Sequence, residues 1–136
     1  MSWPVCPFCE RIAAGQYDEE PRRGCYIFEP LNPVVPGHLL VVPGEHVRNA
    51  AVAPATASAV MFEAASKVQR LGIEANLITS VGPLATQTVM HLHIHIVPRH
   101  ENDGLHLPWT GQARECFEHE AQHDKELRAA RQDPSR

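Results

Sequence analysis

Residues 90–99 read MHLHIHIVPR, with His91, His93 and His95 at every second position and Leu92, Ile94 and Ile96 following each in turn. This alternation constrains the chain more than any other feature. On a helix the three imidazoles would point in three directions. On a strand, side chains alternate between faces, so the histidines share one face and the aliphatic residues the other. The period of two predicts a strand over Met90–Pro98 with one greasy face and one chemical face.

The rest of the chain supplies a frame for that strand. The segments Cys25–Glu29 (CYIFE), His38–Pro43 (HLLVVP) and Asn76–Ser80 (NLITS) read as further strands. Pro54–Leu71 carries Ala57, Val60, Met61, Ala64, Val68 and Leu71 at helical spacing, with Pro54 suited to the first turn and Gly72 to the exit. A short helical piece fits Glu10–Ala14. YDEEPRRG and PLNPVVPG read as turns and VGPLATQT as a loop. Ala113–Arg131 has a weak apolar stripe at Cys116, Phe117, Ala121 and Leu127. This order predicts an α+β fold, a small antiparallel sheet with one main helix. Residues 1–110 are expected to form the domain, and 111–136 a partly helical tail.

Length and charge narrow the function. A chain of 136 residues fits one domain with a real core. A net charge of −4 argues against nucleic acid as a partner. No apolar run approaches the roughly 20 residues that span a bilayer. The start, MSWPVCPFCE, lacks a basic segment followed by an apolar one, so a cytoplasmic protein is expected.

Neutral imidazole is a nucleophile near pH 7 and can shuttle protons. Two strand residues apart, His93 and His95 have Cα atoms about 6.6–7 Å apart, so both rings can reach one phosphate-sized group. One can attack while the other donates hydrogen bonds. Thr86, Gln87 and Thr88, just upstream, offer hydroxyl and amide donors of the kind that stabilise a transferring phosphoryl group. A His-x-His pair on a strand also suits zinc, so a metal hydrolase using His91, His93 and His95 together is a rival.

Cys6 and Cys9 form a C-x-x-C unit, which supplies half of a tetrahedral zinc site. A thioredoxin-like motif needs a strand ahead of it, and only five residues precede Cys6. Free thiols are the third reading. Cys25 is expected in the core and Cys116 to be inert. His100, His106, His119 and His123 read as surface residues.

HLHIHIV resembles the signature of the histidine-triad (HIT) family, in which histidine alternates with apolar residues. NPVVPGHLLVVPGEH (Asn32–His46), CPFCERIAAG and TQTVMHLHIHIVPR are similar to further segments of that family. The resemblance implies a HIT-like fold and a homodimer whose sheets join across the two-fold axis. It implies a nucleotidyl hydrolase or transferase acting on nucleotide phosphoramidates or related phosphoanhydrides. The middle histidine, His93, would attack the α-phosphate and form a nucleotidyl-histidine intermediate. His95 would polarise the phosphate, and Gln87 and Thr88 would contact phosphate oxygens or the leaving group. Leu31, His38, Ser80 and Thr86 are the positions expected around the bound nucleotide. Part of the family pairs the two cysteines with two histidines, so the resemblance implies structural zinc on Cys6, Cys9, His46 and His91. Where the family often has an aspartate for the ribose hydroxyls, this chain has Pro30, which offers no side-chain acceptor. A diadenosine-polyphosphate hydrolase shares this chemistry with another leaving group. A nucleotide-binding regulator with little turnover is the rival from another class.

Overall fold

The structure is a computed structural model that describes residues 5–22, 24–110, 125, 126 and 129. Two helices, α1 (Pro7–Ala13) and α2 (Pro54–Leu71), accompany strands β1 (Glu19–Arg22), β2 (Cys25–Phe28), β3 (Leu39–Pro43), β4 (Ala75–Ile78) and β5 (Ile94–Pro98). Among the described residues the strands form one antiparallel sheet in the order β1-β2-β3-β5-β4. Residues 1–103 group as one compact unit and 104–136 as another. The stripe at Cys116, Phe117, Ala121 and Leu127, with His119 and His123, lies outside the described residues.

Helix α2 forms where its apolar spacing places it. Ala57, Val60, Ala64 and Val68 pack on Ile27, Val41, Leu92, Ile94 and Ile96. Met61 and Leu71 belong to the same periodic set, yet they lie at the margin of that stripe and are exposed. Gly72 ends the helix in a left-handed conformation at φ 63°, its N–H bonded to the carbonyls of Val68 and Gln69. Glycine accepts that conformation without a Cβ penalty.

The opposite face of the sheet packs against α1. Phe8 and Cys6 meet Phe28, Leu40 and Val42 there. Alternation along β2, β3 and β5 therefore sorts the sheet into a dry face under α2 and a face under α1 that carries the histidines.

Two expectations need correction. YDEEPRRG is not simply a turn, because Glu19–Arg22 forms the edge strand β1. It is held by charge rather than by an apolar face: Lys67 and Arg70 of α2 bond Glu19 at 2.8 and 2.9 Å, and Arg22 meets the buried Glu63 at 3.1 Å. The histidine strand is also shorter than Met90–Pro98. The pairing Leu40↔His95 and Val41↔Ile94, if continued, would set Leu92 opposite Pro43, which has no N–H. The Leu92 N–H turns instead to the Val47 carbonyl at 2.7 Å, and regular pairing begins at Ile94.

Candidate functional site

The three histidines still point to the α1 face, but each has a different task. His91, with none of its surface exposed, donates its Nε2–H to the Pro43 carbonyl at 2.7 Å. That bond fixes the tautomer and leaves a lone pair on Nδ1. Nδ1 faces Cys6 Sγ at 3.4 Å, Cys9 Sγ at 3.5 Å and His46 Nδ1 at 3.1 Å. Cys9 Sγ is also 3.2 Å from His46 Nδ1. All four ligand atoms lie within 4.8 Å of one another. Tetrahedral zinc, with about 2.3 Å to sulfur and 2.0–2.1 Å to nitrogen, sets its ligand atoms roughly 3.3–3.8 Å apart. The donor set and its spacing fit such an ion. Burial and the adjacent Cys6 push the Cys9 thiol up to about 11, a penalty on the thiolate that a divalent cation would oppose.

Two residues on, His93 Nδ1–H donates to the His91 carbonyl at 2.7 Å. Nε2 is thereby left as the unprotonated nitrogen. Thr79 Oγ1 donates to the His93 carbonyl at 2.7 Å, and the edge of the His93 ring meets the Phe8 ring at 5.0 Å. Burial holds the His93 pKa below the usual imidazole value, opposed in part by the bond to His91. A buried, neutral and oriented imidazole is a nucleophile ready to react at pH 7.

His95 belongs to a chain of directed bonds. The Val34 N–H donates to His38 Nδ1 at 3.1 Å, so His38 carries its hydrogen on Nε2. That hydrogen points to His95 Nδ1 at 2.9 Å. His95 must then carry its own hydrogen on Nε2, as a donor. Burial, then the neighbouring His93 and His38, lower the His95 pKa to about 4, and burial alone lowers that of His38. The rings of His93 and His95 lie 5.0 Å apart. A lone pair on one and an N–H on the other is the complement of an electrophilic phosphorus and its oxygens.

His93 and His95 line a cavity of about 270 Å³ with His38, Val34, Ser80, Thr86, Gln87 and Thr88. The structure thus brings together seven of the eight residues expected around substrate. Leu31 is the exception: it is 86% exposed and is absent from that lining, because the 29–37 loop carries it outward. Gln87 lines the cavity but cannot donate to a phosphate. Its Nε2 gives both hydrogens away, to the carbonyls of Arg48 at 2.8 Å and Val89 at 3.0 Å, while Oε1 accepts from the Gly82 N–H at 2.9 Å. Gln87 therefore ties the backbone at Gly82, Arg48 and Val89 together. His91 does not share a site with His93 and His95, because its Nε2 donates to the Pro43 carbonyl and its Nδ1 faces the cysteines. Phe8, Thr79 and the Val34 N–H escaped the sequence reading. Phe8, between the two cysteines, had to follow them to the strand, which was a usable signal.

A family model described as the HIT domain matches residues 21–102. The chain belongs to the HIT family. Cys6 and Cys9 lie before the matched segment, whereas His46, His91, His93 and His95 lie within it. An HIT-like protein of Methanocaldococcus jannaschii is 32% identical over 110 residues, covering 74% of this chain and 83% of that protein. The adenylylsulfatase HINT3 of Arabidopsis thaliana is 28% identical over 119 residues, covering 79% of this chain and 57% of its own. Among solved structures, a HIT family hydrolase from Clostridium thermocellum superposes with a TM-score of 0.60 at 28% identity, over 74% of this chain and 96% of the other.

Proposed function

We propose that this protein is a nucleotidyl hydrolase that cleaves a nucleotide conjugate at its α-phosphate through a nucleotidyl-His93 intermediate. One observation carries the reading: the 2.7 Å bond from His93 Nδ1 to the His91 carbonyl, which leaves Nε2 as a lone pair beside the His95 donor. Nε2 attacks phosphorus and the bond to the leaving group breaks. The leaving atom takes a proton from solvent, and the Thr88 hydroxyl lines the same cavity. Water then attacks the phosphohistidine, which releases the nucleoside monophosphate and returns His93 to its starting state. His95 Nε2–H donates to a non-bridging oxygen as charge gathers there. The HIT relatives named adenylylsulfatase and hydrolase support this class of reaction.

The same reading places zinc on Cys6, Cys9, His46 and His91. A closed four-ligand set leaves no position for substrate, so its contribution is to tie the N-terminal segment to β5. The catalytic domain is assigned to residues 1–110, with 111–136 as a tail. A homodimer continues the sheet across the edge strand β4, which sedimentation would detect. Cysteines kept out of disulfides, at positions 6, 9 and 25, suit the cytoplasm. Among the described residues no helix is long and apolar enough to cross a membrane.

The test is to mix enzyme with a nucleoside phosphoramidate, quench within the first turnover and weigh the intact protein. A mass increase of one nucleotidyl group, absent from His93→Gly, is the expected result. Tight nucleotide binding with neither adduct nor turnover would leave a binding regulator instead. Release of product from a dinucleoside polyphosphate alone would favour the other leaving group.

A further inference from the structure

His93 stands just outside the sheet that displays it. Strand β5 begins at Ile94, its pairing with β3 ends at Val41↔Ile94, and its pairing with β4 ends at Ile78↔His95. The β4 ladder shows what its next step would be. The Arg99 N–H donates to the Glu74 carbonyl at 2.9 Å, so these two opposed residues are a hydrogen-bonded pair. In an antiparallel ladder such pairs recur at every second residue. Asn76↔Val97 and Ile78↔His95 are therefore the following ones, and Ser80 with His93 would be the next. Continued that far, the ladder would bond the Ser80 N–H to the His93 carbonyl. The strand stops at Ile78 instead, and the His93 carbonyl accepts from the Thr79 hydroxyl at 2.7 Å. A side chain does there what the ladder does elsewhere.

We infer that Thr79 is a positioning residue for the nucleophile: its hydroxyl fixes the peptide that follows His93, and thereby the place from which Nε2 attacks. The inference rests on the reading of His93 as the nucleophile. Two bonds then divide the work. The His91 carbonyl holds Nδ1 and sets the tautomer and the turn of the ring. Thr79 holds the main chain on which the ring stands. His93 is buried, and a buried carbonyl that loses its donor is driven to find another. The Ser80 N–H is the alternative. Taking it would extend the ladder by one pair and shift the peptide that carries His93. Attack on phosphorus needs the reacting atoms roughly 3–3.5 Å apart and aligned, and a displacement of about 1 Å can cost about 10²-fold. Nucleotide binding draws on several groups and does not share that sensitivity.

The experiment compares Thr79→Val, Thr79→Ala and Thr79→Ser with wild type. One nucleoside phosphoramidate is used in single-turnover quench, and free nucleoside monophosphate in calorimetric titration. Valine matches threonine in shape without the hydroxyl, alanine lacks both the hydroxyl and the methyl group, and serine keeps the hydroxyl. Thr79→Val and Thr79→Ala should form the nucleotidyl-His93 adduct at least about tenfold more slowly, with monophosphate binding within about threefold of wild type. Thr79→Ser should form the adduct within about threefold of the wild-type rate. Serine slowed as much as alanine overturns the inference, because the methyl group and not the hydroxyl would then matter. Thr79→Val or Thr79→Ala forming the adduct at the wild-type rate, whatever its melting temperature, also overturns it and leaves the hydrolase reading standing. The bond would then serve the fold alone. Wild type that neither forms an adduct nor turns over overturns the hydrolase reading and this assignment with it. The alanine and serine variants decide the matter if Thr79→Val does not fold.

Discussion

Two pairs of histidines touch in this molecule at nearly the same distance, and their surroundings differ. His46 and His91 bring Nδ1 to Nδ1 at 3.1 Å, and His38 and His95 bring Nε2 to Nδ1 at 2.9 Å. The second pair is a hydrogen bond, because the Val34 N–H occupies the far side of His38 and sends its hydrogen toward His95. In the first pair the Pro43 carbonyl takes the only hydrogen of His91, so its lone pair faces another ring nitrogen and two sulfurs. Two sulfurs and two ring nitrogens around one point are a donor set that could hold a metal ion. The distance between two imidazoles therefore says little. The backbone group behind each ring decides which of its nitrogens is left as a lone pair.

The comparison can be broken most decisively at the residue between the pairs. His93→Gly should cut turnover by at least about 10³-fold while nucleoside monophosphate still binds, as expected for a nucleophile acting within a larger site. Calorimetric titration beside steady-state rates checks both halves. Activity within a few-fold of wild type would remove His93 from the mechanism.

On the metal side, protein purified without chelator should carry about one zinc per chain. Cys9→Ser should lose that zinc and melt about 10 °C lower, which corresponds to ~2 kcal/mol for a domain of this size. Its rate on the remaining folded protein should fall far less than that of His93→Gly. Less than about a tenth of an equivalent of metal in wild type would show that the first pair is not a metal site.

On the proton side, pH separates the pairs. His95 in the folded state titrates at about 4, well below its ordinary value of 6.5. Between those values the unfolded chain binds the proton more readily than the folded one. The contribution to stability is thus present above pH 6.5 and is lost as the pH falls toward 4. The melting temperature should drop between pH 7 and pH 5. His95→Asn, which cannot take up the proton, should shrink that drop. An equal drop in both proteins would show that the loss arises elsewhere, for instance from the metal ligands.

The smallest effect concerns the loop beside the His93 cavity. Thr86 sits at φ 70°, a conformation that is strained for a β-branched residue. Thr86→Gly should raise stability by roughly 0.5–1 kcal/mol in urea unfolding. A loss of stability would mean that contacts of the Thr86 side chain outweigh the backbone strain.

Much of this arrangement is legible in the sequence because it depends on local periodicity. The period of two placed the histidines on one face, and helical spacing gave α2 its bounds of Pro54 and Leu71. The convergence of Cys6, Cys9, His46 and His91 followed only from family resemblance, since no spacing along the chain brings position 9 to position 91. What stayed hidden depends on partners distant in sequence. β1 has no apolar alternation and is fixed by ion pairs with residues 63, 67 and 70. The early end of pairing in β5 depends on a proline in a neighbouring strand. The commitment of the Gln87 amide to Arg48 and Val89 cannot be seen until both segments are in place.

That commitment changes how a damaged variant at Gln87 should be interpreted. Three stretches of chain, at Gly82, Arg48 and Val89, converge on this one amide like rafters on a ridge piece. Shortening the side chain would let the roofs of two rooms sag together, one beside His93 and one, a second cavity, beside Met90. A slow Gln87→Ala enzyme would then report a change of shape in both, rather than the loss of a hand that had been holding the substrate.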